Sequence, residues 1–272
     1  MLLDSFFLRD SDPTLLLYGT YDPGLVALSL LIAVLGSAMS LQLAGMARAA
    51  AHAAYRQVAL TTGAIALGVA TWAMHFIGML AFSLCDEIRY APTLTVLSMG
   101  PAMLASWVAL SLLAREEIRP WQLALGGTLV GAGIGSMHYL GMAAMEMDAQ
   151  LRYNPAWFLA SILVAVVLAV LALWIRFGLA RNPRFGGLPG VLAGGLVMGL
   201  AIAGMHYVAM AAARFIGLPD PGCVGNDEGN TRLALGIAAV TVITSLVVAA
   251  ANGFLRYRYL YQRLVQGESR LR

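Results

Sequence analysis

Along this chain, apolar residues gather into blocks of about twenty or more, and short polar segments separate them. Seven blocks, at about 24–46, 58–84, 93–114, 121–145, 156–179, 189–213 and 233–255, reach the length a helix needs to cross a bilayer. Strands of a membrane barrel would be about half as long and would alternate in polarity, so the pattern predicts helices. The expected fold class is an all-α membrane protein with seven transmembrane helices.

One phrase recurs three times within these blocks. It reads Met74-His75-Phe76-Ile77-Gly78-Met79, Met137-His138-Tyr139-Leu140-Gly141-Met142 and Met205-His206-Tyr207-Val208-Ala209-Met210. Glycine stands twelve residues before each histidine (Gly63, Gly126, Gly194) and again seven before it (Gly68, Gly131, Gly199). Alanine stands six after it (Ala81, Ala144, Ala212).

A second series interlocks with the first. Tyr21-Asp22-Pro23, Tyr90-Ala91-Pro92 and Tyr153-Asn154-Pro155 each precede an odd-numbered block. Serine follows each tyrosine by eight residues (Ser29, Ser98, Ser161) and leucine by twenty (Leu41, Leu110, Leu173). Proline suits the first helical position, where its missing N–H would have no partner anyway. Tyrosine belongs at the membrane–water boundary, so a structural role is expected for these starts. The marks divide the chain into three two-helix repeats, about 21–89, 90–152 and 153–220, then a seventh helix at about 233–255. Residues 1–20 form an N-terminal tail, and 256–272 a juxtamembrane segment. In that segment Tyr257, Leu260, Leu264, Gly267 and Leu271 begin a heptad spacing interrupted at Gly267, the start of a signalling helix that points to a homodimer.

Composition sharpens the membrane reading. The chain is 60% hydrophobic and only 11% charged, against about 25% charged in soluble domains. There is no lysine, and seven spans put twelve of the seventeen arginines on one side, leaving Arg9, Arg89, Arg152, Arg214 and Arg232 on the other. The arginine-rich side is the cytoplasm, which places the N-terminus outside and the C-terminus inside. The net charge of +3 follows from this topology and gives no reason to expect nucleic acid as a partner. Charged residues ahead of the first block (Asp4, Arg9, Asp10, Asp12) do not read as a signal peptide. Cys85 and Cys223 fall in outer loops, where a disulfide and two free thiols are both open.

The chemistry lies in the repeated phrase. Three of the four histidines and six of the fourteen methionines belong to it. The even helices run parallel, and 19, 19 and 22 residues separate Arg56 from His75, Arg119 from His138 and Arg184 from His206. That is a rise of about 29–33 Å, so the imidazoles share one depth in the outer part of the bilayer. Gly131, Gly133, Gly135, Gly194, Gly195, Gly199 and Gly204 let the helices approach closely. Each histidine shares a helix face with the methionine four residues on. A single histidine here would read as interhelical glue; three in register read as a ligand site.

Neutral buried imidazoles offer lone pairs to a metal. With thioether neighbours they suit copper, Cu(I) above all. Zinc ranks second, and haem with two axial histidines third. The candidate ligands are His75, His138 and His206 with Met79, Met142, Met210, Met74, Met137 and Met205. Orienting hydrogen bonds are expected from Thr71, Ser136, Tyr139 and Tyr207. Met99 and Met103 are read as core, and His52 as a loop residue. No nucleophile–base set, phosphate loop or carboxylate pair is visible, so no enzyme is expected within these residues. A metal or proton transporter or channel using the histidines is the competing reading. The spans lack the carboxylate such carriers need, and the repeats are parallel where carriers often invert them.

The tripled Met-His-[Phe/Tyr] phrase, the Tyr-x-Pro starts and the stretch Leu25–Gly45 resemble the MHYT sensor domain of bacterial inner membranes, over about residues 21–255. The resemblance implies a multi-pass inner-membrane protein that binds copper near the outer face through His75, His138, His206 and their methionines. It implies sensing of O2, NO or CO as a ligand at the metal, or of copper itself. It also implies a cytoplasmic output domain in cis, such as a diguanylate cyclase/phosphodiesterase of cyclic di-GMP signalling, a PAS domain or a histidine kinase. The threonine of the family phrase is replaced by Ile77, Leu140 and Val208, and Phe76 stands for one tyrosine. The site is therefore more apolar than the family's motif.

Overall fold

Proline opens three of the helices, at Pro23, Pro92 and Pro155, and a short polar side chain caps two of them. Asp22 Oδ1 accepts from the Leu25 N–H at 2.8 Å, and Asn154 Oδ1 accepts from the Ala156 and Trp157 N–H groups at 3.1 Å each. Such caps satisfy donors that the first helical turn leaves without partners. The computed structural model describes residues 6–8, 15–50, 52–84, 88–115, 117–181, 187–218 and 227–270.

In chain order, β1 (Leu16–Leu17) and β2 (Thr20–Tyr21) lead into α1 (Pro23–Arg48) and α2 (Ala53–Leu80). Then β3 (Phe82–Ser83) and β4 (Arg89–Tyr90) precede α3 (Pro92–Leu113), interrupted at Ser98, and α4 (Pro120–Ala143). Next come β5 (Met145–Glu146), β6 (Gln150–Tyr153), α5 (Pro155–Arg181) and α6 (Leu188–Met210), and last β7 (Ala213–Ile216) and α7 (Asp227–Arg270).

Six of these seven helices are long and apolar enough to cross a membrane: α1, α2, α3, α5, α6 and the Gly229–Leu255 part of α7. The exception among the seven expected spans is α4, which carries His138. It has the length, 24 residues, but Gly126, Gly127, Gly131, Gly133, Gly135 and Gly141 dilute its apolarity.

Helices α1 to α6 each pack on the next, and α6 returns to α1, closing a ring. The histidine helices α2, α4 and α6 also touch across its centre, while α7 lies outside against α1 and α2. The same close contact recurs at three seams. A Cβ on Gly68, Gly131 or Gly199 would stand 2.7 Å from the Cα of Met103, Val166 or Val34 respectively. Each of those residues stands thirteen after a Tyr-x-Pro tyrosine, so the ring has pseudo-threefold symmetry.

The hydrophobic pattern predicts no strands, yet short strands gather at the histidine end of the ring. Tyr21 pairs with Phe82, Tyr90 with Met145 and Tyr153 with Ala213, all antiparallel. Beside each pair the N–H of Asp22, Ala91 or Asn154 donates to the carbonyl of Ala81, Ala144 or Ala212, at 2.8, 2.8 and 2.9 Å. Each clip ties the start of an odd helix to the end of the even helix after it. The strands are two to four residues long, too short to leave an alternation in the sequence.

Between pairs, aromatic rings interlock. Tyr90 meets Phe76 at 5.7 Å between centroids, Tyr153 meets Tyr139 at 5.2 Å and Tyr21 meets Tyr207 at 5.8 Å. The last helix, α7, runs unbroken for 44 residues, from the seventh apolar block through Gly267 in the juxtamembrane segment. Cys85 and Cys223 lie outside the described residues.

Candidate metal centre

The three parallel helices deliver their histidines to the axis of the ring. His75 Nδ1 lies 3.0 Å from His206 Nδ1 and 3.2 Å from His138 Nδ1, and 3.3 Å separates the last two. All three rings are buried, with at most 1% of their surface exposed. Among the described residues they form a group able to hold a metal ion.

The triangle fits one ion. A regular triangle of such edges has its centre about 1.8 Å from each corner, within tolerance of the roughly 2.0–2.1 Å of a metal–imidazole bond. It fits poorly without a cation. An Nδ1–H can point at only one of its two neighbours, and facing lone pairs repel. One cation at the centre engages all three lone pairs together. Nitrogens this close leave no room for a porphyrin between them.

On the side away from the axis, packing holds the rings and no hydrogen bond does. An imidazole offering Nδ1 carries its proton on Nε2, and all three Nε2 atoms are buried without a hydrogen-bond partner. Each ring stands edge-to-face on the next aromatic in its own helix: Phe76, Tyr139 and Tyr207, with centroids 5.1, 4.9 and 4.8 Å away. For His75 and His206 the other side is a notch on a neighbouring helix. A Cβ on Gly141 would overlap His75 Nε2, and one on Gly78 would crowd His206 Nε2. Gly78 and Gly141 both stand three residues after a histidine; the third copy has Ala209 there.

The residues expected to orient the imidazoles take other partners. The Tyr207 hydroxyl lies 2.8 Å from Ser29 Oγ, and the Tyr139 hydroxyl 2.6 Å from Ser161 Oγ. Thr71 Oγ1 donates to the Leu67 carbonyl at 2.8 Å, and Ser136 is exposed. Sequence reasoning missed the reason for the serine mark: each serine is a socket for an aromatic of the adjoining histidine helix, α6 for Ser29, α2 for Ser98 and α4 for Ser161. Phe76 has no hydroxyl to fill its socket, and Trp72 does so instead. Its Nε1–H reaches Ser98 Oγ at 3.1 Å and the Thr95 carbonyl at 3.0 Å.

The methionines divide. Met79, Met142 and Met210 gather in one apolar cluster on the strand side of the trio, with Phe82, Tyr153 and Phe215. Met74 and Met205 enter separate clusters, and Met137 is buried. On the opposite side of the trio lies an apolar cavity of about 40 Å³. Thr71, Ile134 and Ile202, each four residues before a histidine, line it, with Ser106 as its other polar group.

Comparison with known proteins agrees with the tripled pattern. The family model MHYT, described as a bacterial signalling protein N-terminal repeat, matches residues 68–126, 131–186 and 199–261. Each match begins at or beside the glycine seven before a histidine. The chain is 45% identical over 240 residues to the bifunctional diguanylate cyclase/cyclic di-GMP phosphodiesterase MucR of Pseudomonas aeruginosa, covering 87% of this chain and 34% of that protein. It is 32% identical over 209 residues to signaling protein YkoW of Bacillus subtilis, covering 72% of this chain and 24% of the relative. It is 35% identical over 197 residues to cyclic di-GMP phosphodiesterase NbdA of Pseudomonas aeruginosa, covering 71% and 24%. The chain thus spans about a third or a quarter of the length of these relatives. No solved structure matches it significantly.

Proposed function

The chain belongs to the MHYT family, as a multi-pass protein of the bacterial inner membrane, and we propose that it is a sensory module whose His75, His138 and His206 hold copper. The Nδ1 triangle is the observation that carries the proposal. Bound copper would supply a Lewis-acidic centre able to take a small ligand such as O2, NO or CO, or would itself be the stimulus. The protein's part is to hold three neutral donors at fixed separation and keep water away.

Charge favours the monovalent ion. Among the described residues the trio has no carboxylate partner, and the Born penalty scales with the square of the charge, so Cu(I) meets about a quarter of the penalty of a divalent ion. Zinc is disfavoured on the same ground. Met79, Met142 and Met210 are the thioethers best grouped to add a soft ligand or to pass the ion in from the strand side. Met74, Met137 and Met205 belong to the seams around the trio. The apolar cavity below suits an uncharged diatomic, which supports the gas reading.

The arginine asymmetry supports an outer histidine end and a cytoplasmic C-terminus. Helix α7 then carries the signal from α1 and α2 toward an output domain in cis, such as the cyclic di-GMP enzymes named for two relatives. Its exposed Phe254, Tyr257 and Tyr261 lie on one stripe and support pairing with a second copy. The division of the ring into three two-helix repeats, each closed by a strand clip, belongs to the same reading.

Copper content of the purified chain tests the proposal, with H75A/H138A/H206A as control. About one copper per chain is expected in the native protein and almost none in the variant; equal copper in both ends the metal-site reading. Copper or proton uptake into liposomes would instead favour a transporter.

A further inference from the structure

The end of the ring opposite the histidines holds two arginines that the metal reading does not use. Arg176 lies on α5, about 32 Å along the helix from Pro155, near the inner hydrocarbon boundary. The residues at the same repeat position, 23 after the Tyr-x-Pro tyrosine, are Ala44 and Leu113 in the sister units. Both are buried apolar side chains, at 3% and 2% exposure. A guanidinium therefore occupies a place the repeat reserves for an apolar group. An ionisable residue at such depth calls for a partner.

Arg176 has none of opposite sign among the described residues. Its side chain crosses Gly194 of α6, where a Cβ would stand 2.7 Å from its Cδ, so the glycine leaves room for the arginine stem. Its Nε is buried without a hydrogen-bond partner. It shares the Gly194 notch with Leu41 of α1, about two helical turns before Arg48 on the same helix. Arg48, at the last turn of α1, donates from Nη2 to the Leu113 carbonyl, the backbone of the sister position. Two guanidiniums thus face one mouth of the ring with donors to spare and, among the described residues, no acid paired with either. Guanidinium forks of this kind match a tetrahedral oxyanion.

We propose that Arg48 and Arg176 form a binding site for a phosphate group at the arginine-rich mouth of the ring, supplied by an anionic lipid headgroup or by free phosphate. The site is independent of the metal centre. Occupation would neutralise the two cations and join α1, α5 and α6 at that end.

Thermal unfolding of the full chain in nanodiscs tests this. In phosphatidylcholine discs without phosphate, R176Q should melt at or above the native protein, because repulsion is removed. Replacing the lipid by phosphatidylglycerol should raise the native midpoint by about 3 °C or more and leave R176Q and R48Q unmoved. A gain from inorganic phosphate in phosphatidylcholine discs would identify free phosphate as the source; a gain with phosphatidylglycerol alone identifies the headgroup. If neither raises the native midpoint, or if both variants keep the full gain, the site does not exist. Should R176Q fail to fold, R48Q carries the test, since Arg48 is exposed at the mouth.

Discussion

At the scale of single residues, the proposed metal centre depends on two glycines as much as on three histidines. Gly141 and Gly78 give His75 and His206 the space that their Nε2 atoms occupy. Alanine at either place should turn one imidazole away from the axis. G141A is expected to lower copper affinity about 10–100-fold, the scale of a disturbed ligand support, with helical circular dichroism kept; an affinity unchanged within threefold would refute the notch. The Met-His phrase was legible in the sequence because chemistry-bearing residues recurred in it. The notch was not, because glycine in a membrane helix reads first as general packing. A second test concerns Trp72. W72F removes the donor to Ser98 and Thr95 and should destabilise by about 1–2 kcal/mol. Adding F76Y should restore part of that, since a hydroxyl then fills the Ser98 socket as Tyr139 and Tyr207 fill theirs; denaturant melts of the single and double variants check it.

At the scale of elements, the strand clips explain two marks that the sequence displayed without their meaning. Tyr-x-Pro and the alanine six after each histidine are far apart in sequence, and only the fold shows them to be bonded. The spacing exposed the repeat but not the pairing, because such short strands have no periodicity to detect. Burial and the neighbouring Tyr207 push the Tyr21 hydroxyl up to about 12, and burial raises Tyr90 and Tyr153 as well. An acid with a raised folded value stabilises fully below the unfolded value, about 10 for tyrosine. That stability is lost as the pH rises from about 10 through about 12. The midpoint of thermal unfolding should therefore fall across this window, and Y90F should flatten the fall. A midpoint that stays level across this window would contradict the clip's dependence on neutral tyrosines.

At the scale of the whole molecule, the ring is nearly threefold but its output is not. Helix α7 contacts α1 and α2, so among the histidine helices α2 alone adjoins it closely. Asn252 Nδ2 donates to Thr62 Oγ1 on α2 at 3.0 Å, and the Tyr55 hydroxyl donates to the Asn252 carbonyl at 3.3 Å. Movement of His75 on metal binding would reach α7 through this latch. N252A should leave copper affinity within twofold of native while abolishing any copper-dependent change in spin-label distance between α2 and α7; a change that persists would place the coupling elsewhere. The apolar blocks made seven helices legible, and arginine counts suggested their direction. The closed ring was beyond reach, since contacts between α6 and α1 join residues at opposite ends of the domain.

The convergence of His75, His138 and His206 on a single soft ion is the claim on which the rest depends, and X-ray absorption at the copper edge of the Cu(I)-loaded chain tests it most directly. The account predicts about three nitrogen scatterers at roughly 2.0 Å, with the outer-shell signature of imidazole, lost in H75A/H138A/H206A. A first shell without imidazole, or a spectrum unchanged in the triple variant, would contradict it.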